Sequence, residues 1–347
     1  MLRVESLQIT PELLSLISEL DEFKGAWRLF GTLAPDRLKA LERLASIECV
    51  GSSMRIEGGK FSDRDVERLL GGSGMLETRE EQEVVGYAEV LERIALSFDA
   101  IPVTEAHLKQ LHHDLLRHSE KDARHRGEYK SLPNNIAAFD TEGRMTGVVF
   151  ETASPFDTAR RMRELLGWLK ETRELGSIHP LITIAAFIAS FLAIHPFQDG
   201  NGHLSRILTT LLLLQEGYHY APYSSLESVI ESNKEGYFLA LRQTQTTIRG
   251  ASPDWHPWLI FFIRTLQQQK RRLSIKVERE RNALAEVPEL AVRILDYARD
   301  QGRVRTRDMV REFGASPNTL KATFSSLVKK GILVRHGGGR STWYGLP

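Results

Sequence analysis

The chain has 347 residues, of which 41% are hydrophobic and 26% charged, and its formal net charge is +1. Those proportions fit a globular protein of two or three domains and exclude a disordered or membrane-embedded chain. One cysteine, Cys49, excludes an internal disulfide and thiolate metal chemistry. The N-terminus lacks a signal-peptide core and no run reaches membrane-spanning length, so a cytoplasmic protein with no membrane partner is expected.

Helical periodicity at Leu13, Leu14, Ile17 and Leu20, with breaks at prolines, reads as a helical cap up to about Ala45. A second helix is predicted over about 47–58, stopped by Gly58-Gly59. On it Ser53 and Glu57 stand one turn apart on one face. His112-His113 and His179 lack convergent spacing and are assigned to surface or core. From Arg124 to Phe150 the character changes. Asn134-Asn135 and Glu142-Gly143 break the chain, and Met145 to Phe150 is apolar and β-branched at its end, which predicts a β-hairpin. Two apolar runs, Leu181 to Ile194 and Ile207 to Leu214, have the length and composition of buried helices.

Between those runs His195 to Arg206 reads H-P-F-Q-D-G-N-G-H-L-S-R. Gly200-Asn201-Gly202 then opens the second helix, where unpaired N–H groups and a partial positive charge suit a phosphate. Asp199 is a hard oxygen ligand of the kind Mg²⁺ uses when it also holds nucleotide phosphates. Arg206, one turn in, adds a fork of donors for phosphate oxygens. His195 titrates near neutrality, which suits a general base. Together these groups predict a phosphoryl- or nucleotidyl-transfer centre.

The run resembles the signature of the Fic family, H-x-F-x-[D/E]-G-N-G-R-x-x-R. It matches at His195, Phe197, Asp199, Gly200, Asn201, Gly202 and Arg206, and departs at His203, where the family has arginine. Thr158 to Lys170 and Ser228 to Leu241 resemble family helices before and after the motif, so the resemblance covers about 40–265. It implies a mainly α, Fic-type helical domain with a small β-hairpin flap. It also implies transfer of AMP from ATP to a Ser, Thr or Tyr hydroxyl of a protein, itself included. His195 would deprotonate that hydroxyl and Asp199 would hold Mg²⁺. Asn201, with the backbone of Gly200 and Gly202, would stabilise the α-phosphate, and Arg206 would neutralise the outer phosphates. A histidine at 203 is shorter and only partly charged, so weaker triphosphate binding or a rate that falls as His203 deprotonates is expected, with a different donor or a drift toward the reverse reaction as alternatives. Ser53 to Gly58 resembles the family's inhibitory helix pattern, [S/T]-x-x-x-E-[G/N]. The resemblance implies a Glu57–Arg206 salt bridge in the space of the γ-phosphate, steadied by Ser53. Residues 130–150 resemble the flap that holds the target backbone, approached through Gly127, Tyr129 and Lys130. Tyr237 is the candidate for packing on adenine, and Gln245 for reading the base edge.

Gln267 to Glu286 is long, charged and free of Gly and Pro, an exposed connecting helix ending at Val287-Pro288. From Pro288 onward eleven Lys/Arg face five Asp/Glu, a net +6 that leaves −5 for the rest. Val292 to Arg299, Thr306 to Phe313 and Asn318 to Lys330 are predicted helices, the last with Ser316 as N-cap and Pro317 in its first position. A hairpin tipped by Gly337-Gly338-Gly339 follows. The order resembles a winged helix-turn-helix, implying either a DNA-reading helix with Asn318, Lys321 and Thr323 and a wing with Arg335 and Arg340, or a module that binds protein or serves dimerisation. The expected organisation is therefore 1–100 N-terminal helical region with the inhibitory helix, 101–266 catalytic core, 267–287 linker and 288–347 winged helix, as a homodimer. Two other functions stay open: a nucleotide-sensing DNA-binding regulator with a weak or inactive Fic domain, and an enzyme that removes AMP, with Glu57 activating water.

Overall fold

In the computed structural model, residues 4, 6–27, 35–72, 75–139, 145–285, 289–329 and 331–346 are described. They form two compact units, Met1–Leu273 and Ser274–Pro347. The first contains α1 (Pro11–Trp27), α2 (Pro35–Ile56), α3 (Asp63–Leu70), α4 (Arg79–Ser97) and α5 (Glu105–Leu115). Strands β1 (Ile136–Phe139) and β2 (Met145–Phe150) come next, then α6 (Pro155–Leu175), α7 (Pro180–Ile194) and α8 (Asn201–Gln215). The unit closes with α9 (Leu226–Ser232), α10 (Lys234–Thr247) and most of α11 (His256–Ala285). The protein is thus mainly α, with small antiparallel sheets.

Polar caps set the helix starts. Ser62 with Asp65 and Thr78 with Glu81 make reciprocal capping boxes on α3 and α4, and Thr104, Ser154 and Ser225 cap α5, α6 and α9. Burial sets their arrangement. Every residue of α7 from Leu181 to Ile194 is buried, and α8 buries Leu204, Ile207, Leu208 and Leu211. At roughly 1.5–3 kcal/mol for each large apolar side chain, this pair anchors the unit and holds the loop between its ends. α4 and α5 touch at Gly86, where a Cβ would stand 2.0 Å from the Leu115 carbonyl oxygen. That contact brings Arg79 and Glu83 of α4 and His112 of α5 to the same loop.

The helix expected over 47–58 is longer and ends earlier. α2 begins at Pro35, because no Gly or Pro separates it from Ile47, and closes at Ile56. Glu57 lies in the reversal that follows, where Gly58 takes φ 99° and the Gly59 N–H bonds to the Met54 carbonyl at 2.9 Å. In the hairpin, Ile136 pairs with Phe150 and Ala138 with Gly147. The expected break at Glu142-Gly143 lies outside the described residues. Asn134 and Asn135 precede β1 and serve as ties: the Asn135 side chain accepts from the Thr152 N–H at 3.0 Å, and Asn134 reaches the motif loop.

The second unit packs α12 (Glu289–Gln301), α13 (Thr306–Phe313) and α14 (Pro317–Lys329) against the antiparallel pair β3 (Val334–His336) and β4 (Trp343–Gly345). Its core includes Ile294, Leu295, Met309, Leu320 and Phe324, with Phe324 stacked on Tyr344 at 4.2 Å. Val304 joins the hairpin through two 2.8 Å backbone bonds to Tyr344. Asn318, Lys321 and Arg335 are exposed. Thr323 is buried and its hydroxyl donates to the Thr319 carbonyl at 2.9 Å, so it faces the core and is not a base-reading side chain. The Arg340 side chain lies outside the described residues.

Candidate active site

The loop from His195 to Gly200 links the C-terminus of α7 to the N-terminus of α8. His195 has φ 54°, the left-handed region that favours glycine; it is the one non-glycine residue there among those described. Its N–H closes α7 on the Phe191 carbonyl at 2.8 Å. The strained conformation is held by neighbours. Asn134 Nδ2 donates to the Phe197 carbonyl at 2.6 Å, and Lys130 N–H donates to the Pro196 carbonyl at 2.8 Å. Lys130 Nζ is buried on the Asn134 and Thr152 oxygens and the Ile194 carbonyl, at 2.6, 2.8 and 3.1 Å. Burial, with Arg249 nearby, lowers its pKa to about 8.

Burial and the Lys130 charge together push the His195 imidazole down to about 4. It is therefore neutral at physiological pH and able to accept a proton. It lines a cavity of about 1020 Å³ with Asp199, Gly200, Asn201, Gly202, His203, Arg206, Tyr237 and Gln245. The motif residues singled out in the sequence thus meet in one place. Gly200, at φ 72°, lets the chain turn into α8, whose first N–H groups have no intrahelical partner. The Asn201 amide also serves the loop itself. It accepts from the Phe197 N–H at 2.9 Å and donates to the Phe197 carbonyl at 2.8 Å, bracing the loop while its backbone belongs to the helix terminus.

Asp199 is half-exposed at 54% and receives Arg79 Nη2 at 2.5 Å. Burial opposes its ionisation, but the Arg79 and Gly200 N–H bonds outweigh it and hold the carboxyl below its usual range. An ionised, accessible carboxylate at the cavity wall is a donor that fits Mg²⁺ carried with phosphates. Among the described residues no cluster of three metal-ligating groups surrounds it. Arg79 also binds Asp122 at 2.8 Å and Glu83 at 3.1 Å. Burial raises Glu83 to about 7 despite that arginine.

Opposite the loop, α2 delivers Ser53 and the reversal at its end delivers Glu57. Glu57 Oε1 accepts from Arg206 Nη2 at 2.8 Å, with Arg206 3% exposed and Glu57 43%. The fit is close: a Cβ on Gly202 would stand 2.1 Å from Glu57 Oε1. Arg206 Nε donates to Ser53 Oγ at 3.0 Å and Nη2 to the Ser53 carbonyl at 3.3 Å. Burial opposes ionisation of Glu57, but Arg206 holds its carboxyl below the ordinary range.

His203 departs from its expected part as a partly charged ligand of the outer phosphates. Its Nδ1 lies 3.1 Å from Arg206 Nη2 and 2.9 Å from Ser53 Oγ. A guanidinium only donates, so Nδ1 must accept and the proton sits on Nε2. Burial and the Arg206 charge push the ring down to about 4. His203 is a neutral acceptor inside the Ser53–Arg206 network. Tyr237 is 4% exposed and edge-on to Trp258 at 5.7 Å, an aromatic core residue that also borders the cavity.

Sequence reasoning missed His112. It is fully buried and stacks on Phe197 at 3.9 Å and 10°. Gly127 N–H donates to its Nδ1 at 2.8 Å, which leaves Nε2 to donate to the Asp199 carbonyl at 3.0 Å. The doublet His112-His113 carried no metal spacing, and only the fold shows that the first ring grips the loop. Arg79 and Glu83 were equally silent, lying more than 110 residues from Asp199.

Residues 102–213 match the Fic/DOC family. A probable protein adenylyltransferase of Aquifex aeolicus is 30% identical over 99 residues, 28% of each chain. The protein adenylyltransferase Fic of Drosophila mojavensis is 26% identical over 212 residues, covering 58% of this chain and 38% of the relative. The chain thus spans less than two fifths of the length of these curated relatives. Among solved structures, a Fic family protein from Desulfovibrio desulfuricans G20 superposes with a TM-score of 0.66 at 22% identity, over 99% of this chain and 98% of that one. A Fic domain containing signaling protein from Bacteroides thetaiotaomicron gives 0.60 at 24% identity, over 76% and 97%. The sequence match and the shared fold agree: residues 102–213 are a domain of the Fic/DOC family.

Proposed function

We propose that the chain is a protein adenylyltransferase, held off by its own α2, that moves AMP from ATP to a hydroxyl of a protein. The observation that carries this is a neutral His195 in one cavity with an ionised Asp199, the amino end of α8 and Arg206. His195 accepts the proton of the target hydroxyl, whose oxygen attacks the α-phosphorus. The bond to the β-phosphate oxygen breaks and pyrophosphate leaves. The N–H groups opening α8 receive the charge on the α-phosphate oxygens, and Arg206 receives the outer phosphates. Asp199 would hold Mg²⁺, which supplies charge neutralisation on the phosphates. Arg79 must release Asp199 for that to happen.

The Glu57–Arg206 bridge supports self-inhibition, because the guanidinium that the outer phosphates need is already paired. The two-stranded flap leaves Ile136 and Val148 exposed, which suits a target segment added as a strand. The exposed Asn318, Lys321 and Arg335 of the second unit suit DNA, a property that steep salt dependence of duplex binding would reveal. The enzymatic proposal is tested by incubating the purified Glu57→Gly variant with ATP and Mg²⁺ and reading AMP addition by intact mass. Addition that disappears in a Glu57→Gly, His195→Ala double variant supports it. Addition that survives the loss of His195 refutes the assigned base.

A further inference from the structure

A second cavity, of about 760 Å³, shares no lining residue with the first. It lies among α2, α3, α4, α8 and α9, with aliphatic walls such as Ile47, Leu91 and Leu226, and Leu70 and Leu96 are exposed beside it. Two buried acceptors in its lining stand out: one faces no cation and the other has no donor. Glu227 is 1% exposed; Tyr87 Oη donates to it at 2.9 Å and Ser225 Oγ at 3.4 Å, and the Cys49 thiol also donates to it, so its donors are all neutral groups. No lysine, arginine or histidine among the described residues pairs with it. Gln269, 2% exposed, donates from Nε2 to the Ser224 and Ala221 carbonyls at 2.6 and 3.2 Å, which fixes the amide orientation. Its Oε1 is left with no donor.

A buried carboxylate without a cation and a buried acceptor without a donor are each unfavourable, and here both line one volume. An ammonium group supplies the charge and the donors that both lack. Lys39 and Arg43 are the basic residues of the lining; Arg43 pairs with Glu67 at 3.7 Å and Glu89 lies 3.0 Å from His118 and 3.9 Å from Arg117, which leaves Glu42, Glu92 and Glu227 against Lys39. The balance favours a cation, and the aliphatic walls favour an apolar body.

We propose that this cavity binds a primary amine with an apolar tail, and that its occupant loosens the hold of α2 on Arg206. The second half rests on the self-inhibited transferase described above; the binding half does not. The structural connection is short. Tyr87, which donates to Glu227, sets its ring edge-on to His203 at 5.6 Å and 75°. His203 shares Ser53 and Arg206 in the inhibitory network. Cys49, in the cavity lining, stands one turn before Ser53 on α2. An ammonium on Glu227 competes with the Tyr87 hydroxyl and so acts on the ring that supports the lock.

Isothermal titration of the full chain with n-decylamine, n-decanol and n-decanoate tests the site, since the three share a tail and differ in the head. The amine is expected to bind at least about tenfold more tightly than the other two, a preference of about 1.4 kcal/mol or more. Glu227→Gln should remove that preference. Ala88→Trp, which fills the cavity, should abolish binding; Ala95→Phe, at a half-buried position, repeats the filling with less crowding and is read with its thermal unfolding unchanged. Equal binding of the three probes, no amine binding, or full binding by a folded Ala95→Phe chain overturns the site. ATP affinity measured with and without decylamine tests the coupling separately. A gain of threefold or more supports it, and an unchanged affinity with the amine bound overturns the regulatory half alone.

Discussion

Replacing Glu57 by glutamine keeps its shape and removes its charge, and two effects of opposite sign follow. Arg206 is 3% exposed and loses its carboxylate partner, keeping Ser53 and His203. Breaking a fully buried pair costs about 3–5 kcal/mol, and a charge-assisted hydrogen bond contributes about 1.5–3. With Glu57 43% exposed, solvent takes up part of the loss and about 2 kcal/mol is the expected destabilisation. For a unit of this size, melting should fall by about 4 °C. The same 2 kcal/mol no longer has to be displaced by a triphosphate, so ATP should bind about 30-fold more tightly. AMP lacks the outer phosphates and should change by less than about threefold. Calorimetric melting and titration with both nucleotides measure all of this. An unchanged melting temperature, or equal tightening of ATP and AMP, refutes the assignment of Glu57 to the outer-phosphate site.

The histidines make a pH prediction. His195 is neutral down to about pH 4, so transfer by the Glu57→Gly variant should be level from about pH 7 to 5.5; a loss centred near the ordinary histidine value of about 6.5 contradicts the burial argument. His112 and His203 are also lowered to about 4. Below their unfolded value the unfolded chain takes up protons that the folded chain refuses, so stability is full above about pH 6.5 and falls as pH drops toward 4, by on the order of 3 kcal/mol for each ring. Acid denaturation followed by circular dichroism checks the sign. His112→Phe keeps the stack on Phe197 but strands the Gly127 N–H and the Asp199 carbonyl; a loss of about 2–4 kcal/mol is expected, with a lower kcat and a higher Mg²⁺ requirement. His203→Arg cannot accept from Ser53 and sets a second cation beside Arg206, so it should raise AMP transfer even with Glu57 in place; unchanged or lower transfer counts against the lock.

Much of the site was legible because its ligands are close in sequence. One loop carries His195, Asp199, the glycines and Arg206, and the apolar runs on either side announce the helices that position it. Ser53 and Glu57 could be paired with Arg206 only through resemblance, yet the spacing of one helical turn was in the sequence. The start of α2 was not, because a continuous helix-compatible stretch carries no mark of where it must begin. What stayed hidden is long-range. The acceptor role of His203 depends on Ser53, 150 residues away, and the amide of Asn201 gives no sign that it braces Phe197. His112, Arg79 and Glu83 reach the loop only because Gly86 lets α4 and α5 pack closely.

The central claim is that AMP, and not the terminal phosphate, is transferred with His195 as base. The most direct measurement uses the purified Glu57→Gly variant with Mg²⁺ and ATP labelled in either the α- or the γ-phosphate. Label retained on protein from the α-position, absent from the γ-position, and lost in the Glu57→Gly, His195→Ala variant is the predicted result. Retention of γ-label, or no retention of either on this chain and on a hydroxyl-rich protein supplied in trans, would contradict it.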